Sequence, residues 1–237
     1  MEGLQSRQMT FWERVRLWPL SILVSVREAR LALQALPFVI NWNFLRTEFW
    51  RRLLFSRRDA WRLSRDYYSG QASSDVHCFG ETPLLTLARI QRRAGINAGD
   101  EVLEVGAATG RNCFWLATVI GCRVVGLEHI PEFVSRADSV VRRIGCQEQM
   151  RFVCGDMEES LPGKPDVIYL YGSNLEDDLI TRFAQRCCEK GEGVRVITVS
   201  YPLTNYLPGA FELIDAFPAV FTWGVTTVYV QRIVRAA

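Results

Sequence analysis

The sequence predicts an α/β protein: a doubly wound, mostly parallel seven-stranded sheet ending in an antiparallel hairpin, preceded by an N-terminal helical extension. Three observations predict it. The stretch Glu101 to Glu128, EVLEVGAATGRNCFWLATVIGCRVVGLE, reads as strand, glycine turn, helix, strand and acid, the first βαβ unit of an open sheet. Beyond it, short apolar runs alternate with helical periodicity, the pattern of parallel strands joined by crossover helices. Finally, FELIDAFPAV and TWGVTTVYVQRIV are two extended runs joined by a short connection, which reads as a hairpin.

The elements follow in order. Residues 1–67 form the extension and 68–237 the main domain. The extension holds twelve arginines against six acids, net +6, so the remainder carries net −4 within an overall +2. Its longest uncharged run, Leu31 to Leu45, has fifteen residues and is interrupted by Gln34, Pro37, Asn41 and Asn43. A membrane-spanning helix needs about 20 apolar residues. A signal peptide also fits poorly, because Glu2 precedes any apolar run and no small-residue cleavage site stands out. Two readings stay open: helices that pack on the domain as a lid, or a peripheral membrane face built from Trp12, Trp18, Trp42, Trp50 and the arginines.

A polar stretch, SGQASSD, separates the extension from Phe79-Gly80-Glu81-Thr82-Pro83. Thr82 is read as an N-cap with Pro83 at the first helical position, opening a helix to Ala94 with Leu84, Leu87, Ala88 and Ile90 inward. Strands are expected at Val102–Val105, Cys122–Leu127, Arg151–Cys154, Asp166–Tyr171 and Val194–Ser200. Helices are expected at Arg111–Ile120, from Pro131 to Gly145, and from about Leu175 to Lys190.

Composition narrows the function classes. A hydrophobic content of 49% supports a sizeable core. The only lysines are Lys164 and Lys190, which disfavours nucleic acid as a partner. Seven cysteines without a spaced framework, and only His77 and His129 beside them, argue against disulfides or a metal site and for a reducing, intracellular, cytoplasmic setting.

The chemistry lies in the glycine turn. A dinucleotide fingerprint needs Gly-x-Gly-x-x-Gly, since a pyrophosphate must sit on the helix N-terminus. Here Ala108 and Arg111 occupy the second and third positions, leaving Gly106 and Gly110. S-adenosylmethionine (SAM) has no pyrophosphate, and its amino group finds a partner in Glu104, directly or through water. With Glu128 lying 22 residues after Gly106 to accept hydrogen bonds from ribose, Glu104 to Gly110 resembles motif I of the class I, Rossmann-like SAM-dependent methyltransferases. Two alternatives remain: an NAD(P)-dependent oxidoreductase on the same βαβ unit, and a non-catalytic SAM-binding module, with Ala108 as its sign.

Residues 79–234 further resemble the non-SET lysine methyltransferases of the disruptor-of-telomeric-silencing type, through Phe79-Gly80-Glu81-Thr82, motif I, Gly126-Leu127-Glu128, Gly155-Asp156, Val167-Ile168-Tyr169, Val196 to Ser200 and Trp223. The resemblance implies SAM as cofactor and Glu81, Thr82, Glu104, Gly106, Ala107, Gly110, Glu128, His129, Asp156, Met157 and Tyr171 as its binding residues. Tyr171 and Asn174, at the end of the fourth strand, are the acceptor-side catalytic candidates. The acceptor half departs from that family, with Tyr171 and Gly172 where it uses asparagines, so the methyl acceptor is a protein lysine or a small molecule. Arg111 either pairs with the SAM carboxylate or is solvated.

Overall fold

The computed structural model describes residues 40–55, 60–68 and 80–235. Trp12, Trp18, Phe79 and the SGQASSD stretch lie outside the described residues. Five parallel strands make the centre of one sheet: β1 Glu101–Val105, β2 Arg123–Glu128, β3 Met150–Cys154, β4 Val167–Leu170 and β5 Arg195–Val199. The hairpin β6 Phe211–Phe221 and β7 Gly224–Ile233 completes it, giving the order β3-β2-β1-β4-β5-β7-β6 with β7 antiparallel to β5. The parallel strands are short apolar runs because helices cover both of their faces. The order reverses between β1 and β4, which pair from Val102↔Val167 to Val105↔Leu170. Ligands of open α/β sheets lie at the carboxyl ends of the strands at such a reversal.

Among the described residues six α-helices surround the sheet: α1 Trp42–Phe55, α2 Ala60–Tyr68, α3 Leu84–Arg93, α4 Arg111–Trp115, α5 Pro131–Ile144 and α6 Asp177–Cys188. Alternate residues of β1 point to opposite cores. Val102 joins Leu87, Ile90, Phe114, Trp115 and Val140 of α3, α4 and α5, while Leu103 and Val105 join Ile180, Phe183 and Cys187 of α6. Helix α1, from the N-terminal extension, packs on α5 and sends Phe44 fully into the first core. Arg136 of α5 donates to the Leu54 carbonyl, and the Arg143 guanidinium lies 5.1 Å from the Trp50 ring. Trp50 is therefore half-buried against the domain and does not share a membrane-facing surface with Trp42, as the sequence suggests. Among the described residues no helix is long and apolar enough to cross a membrane.

Three local expectations shift. Helix α3 starts at Leu84, and its cap is Pro83 in an extended conformation without a side-chain bond. The Thr82 hydroxyl does not cap the helix, because it is buried in a hydrogen bond with the Tyr169 hydroxyl of β4. Helix α6 begins at Asp177, two residues later than the spacing of apolar residues suggests, with Asp177 and Asp178 in the first turn where the helix dipole favours acids. Helix α4 ends after Trp115, and Leu116–Ile120 widens into a π turn closed by Gly121 in the left-handed conformation.

One acid is buried beneath this layer. Glu104 of β1 accepts hydrogen bonds from Asn112 Nδ2 at 2.8 Å and Cys113 Sγ at 2.9 Å, both on α4. Burial raises its carboxyl from 4.5 to about 7, against the pull of the Cys113 and Asn112 bonds. The folded protein then holds a proton that the unfolded chain has already released between those two values. The Glu104 contribution to stability is thus greatest below the unfolded value, falls as pH rises through this window, and levels off above about 7. Replacing Glu104 by Gln should reduce the fall in urea-measured unfolding free energy between pH about 5 and about 7.5 by about 1–3 kcal/mol. An identical pH slope in wild type and variant would show that Glu104 is ionised throughout.

Candidate active site

The turn after β1 is held in a sterically restricted conformation. Gly106 and Gly110 have φ of 76° and 78°, and Ala108, a residue with a side chain, has φ of 48°. A left-handed alanine costs roughly 1–2 kcal/mol. The Glu128 carboxylate offsets that cost: one oxygen accepts the Ala108 amide at 2.7 Å and the other the Ile130 amide at 2.9 Å. The Gly106 and Ala107 amides both donate to the Leu127 carbonyl, at 2.9 and 3.0 Å. Burial raises the Glu128 carboxyl pKa, while amide bonds from Ile130, Ala108 and His129 oppose the rise.

The glycines differ in what surrounds them. A Cβ on Gly110 would lie 2.5 Å from the Phe152 ring, so Gly110 is required by packing. A Cβ on Gly106 would meet nothing within 4 Å. Gly106 therefore opens onto free space at the carboxyl end of β1.

A second network comes from the extension, where sequence reasoning found no site residue. Thr109 Oγ1 donates to Glu81 Oε1. Arg51 of α1 donates through Nη1 to Thr109 Oγ1 at 3.0 Å and to Glu81 Oε1 at 3.4 Å. Its Nε and Nη2 grip Glu48 at 2.8 and 3.1 Å. Arg52 and Arg111 approach the same buried Glu48 at 3.5 and 3.6 Å. Burial alone would raise the Glu48 carboxyl, but the Arg51 bond and the charges of Arg51, Arg111 and Arg52 outweigh it and hold it below its ordinary value. The Arg111 Nε is buried and faces Glu48 Oε1 at 3.6 Å, an ion pair without a hydrogen bond. The sequence does carry a signal: Glu48 is the only acid in α1 and stands three residues before Arg51.

The remaining candidates fall at two ends of the turn. His129 Nδ1 lies 3.6 Å from Asp156 Oδ2, and the Tyr67 ring of α2 meets the His129 ring edge-on at 5.6 Å. Asp156 also accepts the Glu158 amide at 2.8 Å, closing a turn after β3, and Met157 packs half-buried against the second core. At the other end Tyr171 follows β4. Its hydroxyl accepts the Trp223 indole N–H at 2.6 Å, and its ring stacks on Phe221 at 5.0 Å. Phe221 in turn stacks on Trp223 at 5.9 Å, and Trp223 is 54% exposed. A Cβ on Gly80 would sit 3.1 Å from the Tyr171 ring, so this wall closes against the segment leading to Glu81. Burial keeps the Tyr171 phenol neutral, raising its pKa against bonds from Trp223 and Thr222. Asn174 lies exposed in the loop between β4 and α6. Phe221, in the C-terminal hairpin, escaped the sequence reading, because nothing local marks it as a site residue.

Comparison with known proteins agrees with this architecture. Residues 102–191 match a family model described as a methyltransferase domain. A sterol 24-C-methyltransferase from Eremothecium gossypii is 36% identical over 81 residues, 32% of this chain and 22% of that protein. The chain thus spans about a quarter or less of the first curated relatives it matches. Among solved structures, TrmN from Thermus thermophilus covers 72% of this chain and 53% of its own at 19% identity, with a TM-score of 0.56. An RNA methyltransferase from Salinibacter ruber, in complex with S-adenosylhomocysteine, covers 65% of this chain and 93% of its own at 23% identity, with a TM-score of 0.52. In sequence, residues 102–191 are similar to a methyltransferase domain, and the seven-stranded sheet has the Rossmann-like fold of these structures.

Proposed function

We propose that this protein is a SAM-dependent methyltransferase. The observation that carries the reading is the left-handed turn from Gly106 to Gly110, pinned by Glu128 and open at Gly106. The residues present fit SAM. Beside its bonds from the Ala108, Ile130 and His129 amides, the Glu128 carboxylate has acceptor capacity left for a ribose hydroxyl. His129 and Asp156 rim the adenine side. On the methionine side, Glu81 offers a carboxylate to an ammonium group, and the partly exposed Arg111 guanidinium offers its charge to a carboxylate. Glu104 is committed to Asn112 and Cys113, so its influence on an amino group is indirect.

Bound SAM supplies a methyl group on a sulfonium for in-line displacement. What this chain adds is orientation and exclusion of water. Tyr171, Phe221 and Trp223 form the acceptor wall, and a neutral tyrosine is a positioning group rather than a base. Stacked aromatic faces hold a cationic amine well. The acceptor we favour is an amine, of a protein lysine or a small molecule, that loses its proton to water before the nitrogen attacks. Helices α1 and α2 of the extension serve as a lid, with Arg51 reaching Glu81 and Thr109, and Tyr67 reaching His129.

Isothermal titration with SAM, S-adenosylhomocysteine and NAD tests the cofactor. The first two should bind, and tight NAD binding without SAM binding would overturn the reading. Gly106→Val should abolish SAM binding by filling the open space beside the turn. Glu128→Ala should weaken SAM binding by about 1.5–3 kcal/mol, and should also lower stability because the Ala108 and Ile130 amides lose their acceptor. Unchanged SAM affinity in a folded Glu128→Ala protein would remove Glu128 from the site.

The acceptor wall is tested separately, by tritium transfer from labelled SAM into fractionated lysate. Trp223→Ala should cut transfer about tenfold or more, as expected for loss of acceptor orientation, with SAM affinity unchanged. Equal transfer by wild type and variant would place the acceptor elsewhere.

A further inference from the structure

Helix α1 is apolar on two opposite faces. Its inner face is fixed to the domain by Phe44, Thr47, Glu48 and Phe55, all buried. On the outer face Trp42, Leu45, Phe49 and Leu53 recur at three- and four-residue spacing, so they form one stripe. Trp42 is 74% exposed and Phe49 61%, and Ile40, just before the helix, is also 74% exposed. A helix at a protein–water surface needs only one apolar stripe. The second stripe calls for a covering surface.

Charge selects which surface. Arg46 and Arg52 are exposed on this outer side of α1, and Arg62 and Arg65 are exposed on α2 beside Trp61. The only acid of α1, Glu48, faces inward among three arginines. The outer face therefore combines large apolar side chains with an excess of positive charge, although Arg52 leans on Glu48 at 3.5 Å and Arg65 on Asp66 at 3.7 Å. A second copy of this chain seated on the same face would bring like charges together across a two-fold axis. Burial in a protein interface would desolvate Arg46 in the middle of the stripe. A lipid surface meets both demands, taking the rings into the acyl boundary while the arginines reach the headgroup phosphates.

We propose that the outer face of α1 docks this protein on an anionic membrane surface. The same helix grips the glycine turn through Arg51, so the enzyme would sit with its lid against the bilayer. The inference rests on the surface of α1, independently of methyl transfer.

The test is co-sedimentation of the full-length protein with vesicles of phosphatidylcholine alone and of phosphatidylcholine mixed with phosphatidylserine. Binding to the mixed vesicles should exceed binding to the neutral ones and weaken with salt, since screening sets in over about 8 Å at physiological ionic strength. Trp42→Glu with Phe49→Glu should lose binding, and Arg46→Glu with Arg62→Glu should reduce it about tenfold or more, each basic residue contributing about 1 kcal/mol. All these variants should keep wild-type SAM affinity in parallel titrations. Equal binding to neutral and anionic vesicles by the wild type would overturn the proposal without any variant. So would no vesicle binding at low salt, together with a dimer that Trp42→Glu and Phe49→Glu dissociate, or a loss of thermal stability in that variant that marks the face as covered by the chain itself. Vesicle binding that persists in a protein unable to bind SAM would leave this inference standing and remove the methyltransferase reading.

Discussion

The two hydrogen bonds from the Ala108 and Ile130 amides to Glu128 set the shape of the cofactor end of the fold. They join the end of β2 to the turn after β1 across a parallel pair whose register runs to Val105↔Leu127. Without an acceptor, the buried amide of a left-handed alanine would be both strained and unsatisfied. With it, the turn can omit the middle glycine of its motif. Ala108 is thus tolerated in the turn because the strain it introduces is offset by Glu128. In the proposed function the same carboxylate also meets the ribose.

Helix α1 imposes the second constraint. A buried glutamate surrounded by three arginines is stable only if the geometry holds all of them, since an uncompensated buried charge is costly. Glu48, Arg51 and Arg111 meet that condition by tying α1 to the start of α4, and Arg51 continues to Thr109 and Glu81. The two carboxylates and the guanidinium at the methionine side therefore come from three distant parts of the chain. Displacement of α1 would free Glu81 and Arg111 at once, because Arg51 and Glu48 hold both in one ion network.

Legibility from sequence followed how local the determining physics is. The five parallel strands, the hairpin and the helices on both faces were readable because apolar runs, glycine ends and Pro131 act within a few residues. The glycine turn and the acid at the end of β2 were readable as local structure for the same reason, although the structural task of Glu128 toward Ala108 was not. Thr82 was misread as a cap because its partner, Tyr169, is far away in sequence. Helix α1 was the least readable element. A helix apolar on both faces has no single stripe to detect, so nothing in the pattern separated buried Phe44 and half-buried Trp50 from exposed Trp42 and Phe49.

The two halves of the candidate site differ in the same way. The cofactor half is made mostly of backbone: amide donors, a left-handed turn and a strand end, all encoded within Glu101 to Glu128. The acceptor half is made of side chains, with Tyr171 from β4 meeting Phe221 and Trp223 from the hairpin tip some fifty residues later. A turn that must admit an invariant cofactor is constrained by covalent geometry, so few residue types can build it. A wall that selects an acceptor is constrained only by the acceptor, and here rings brought together by the antiparallel hairpin define it. The hairpin therefore does more than close the sheet: by pairing β7 with β5 it carries Phe221 and Trp223 over the end of β4, onto the Tyr171 ring.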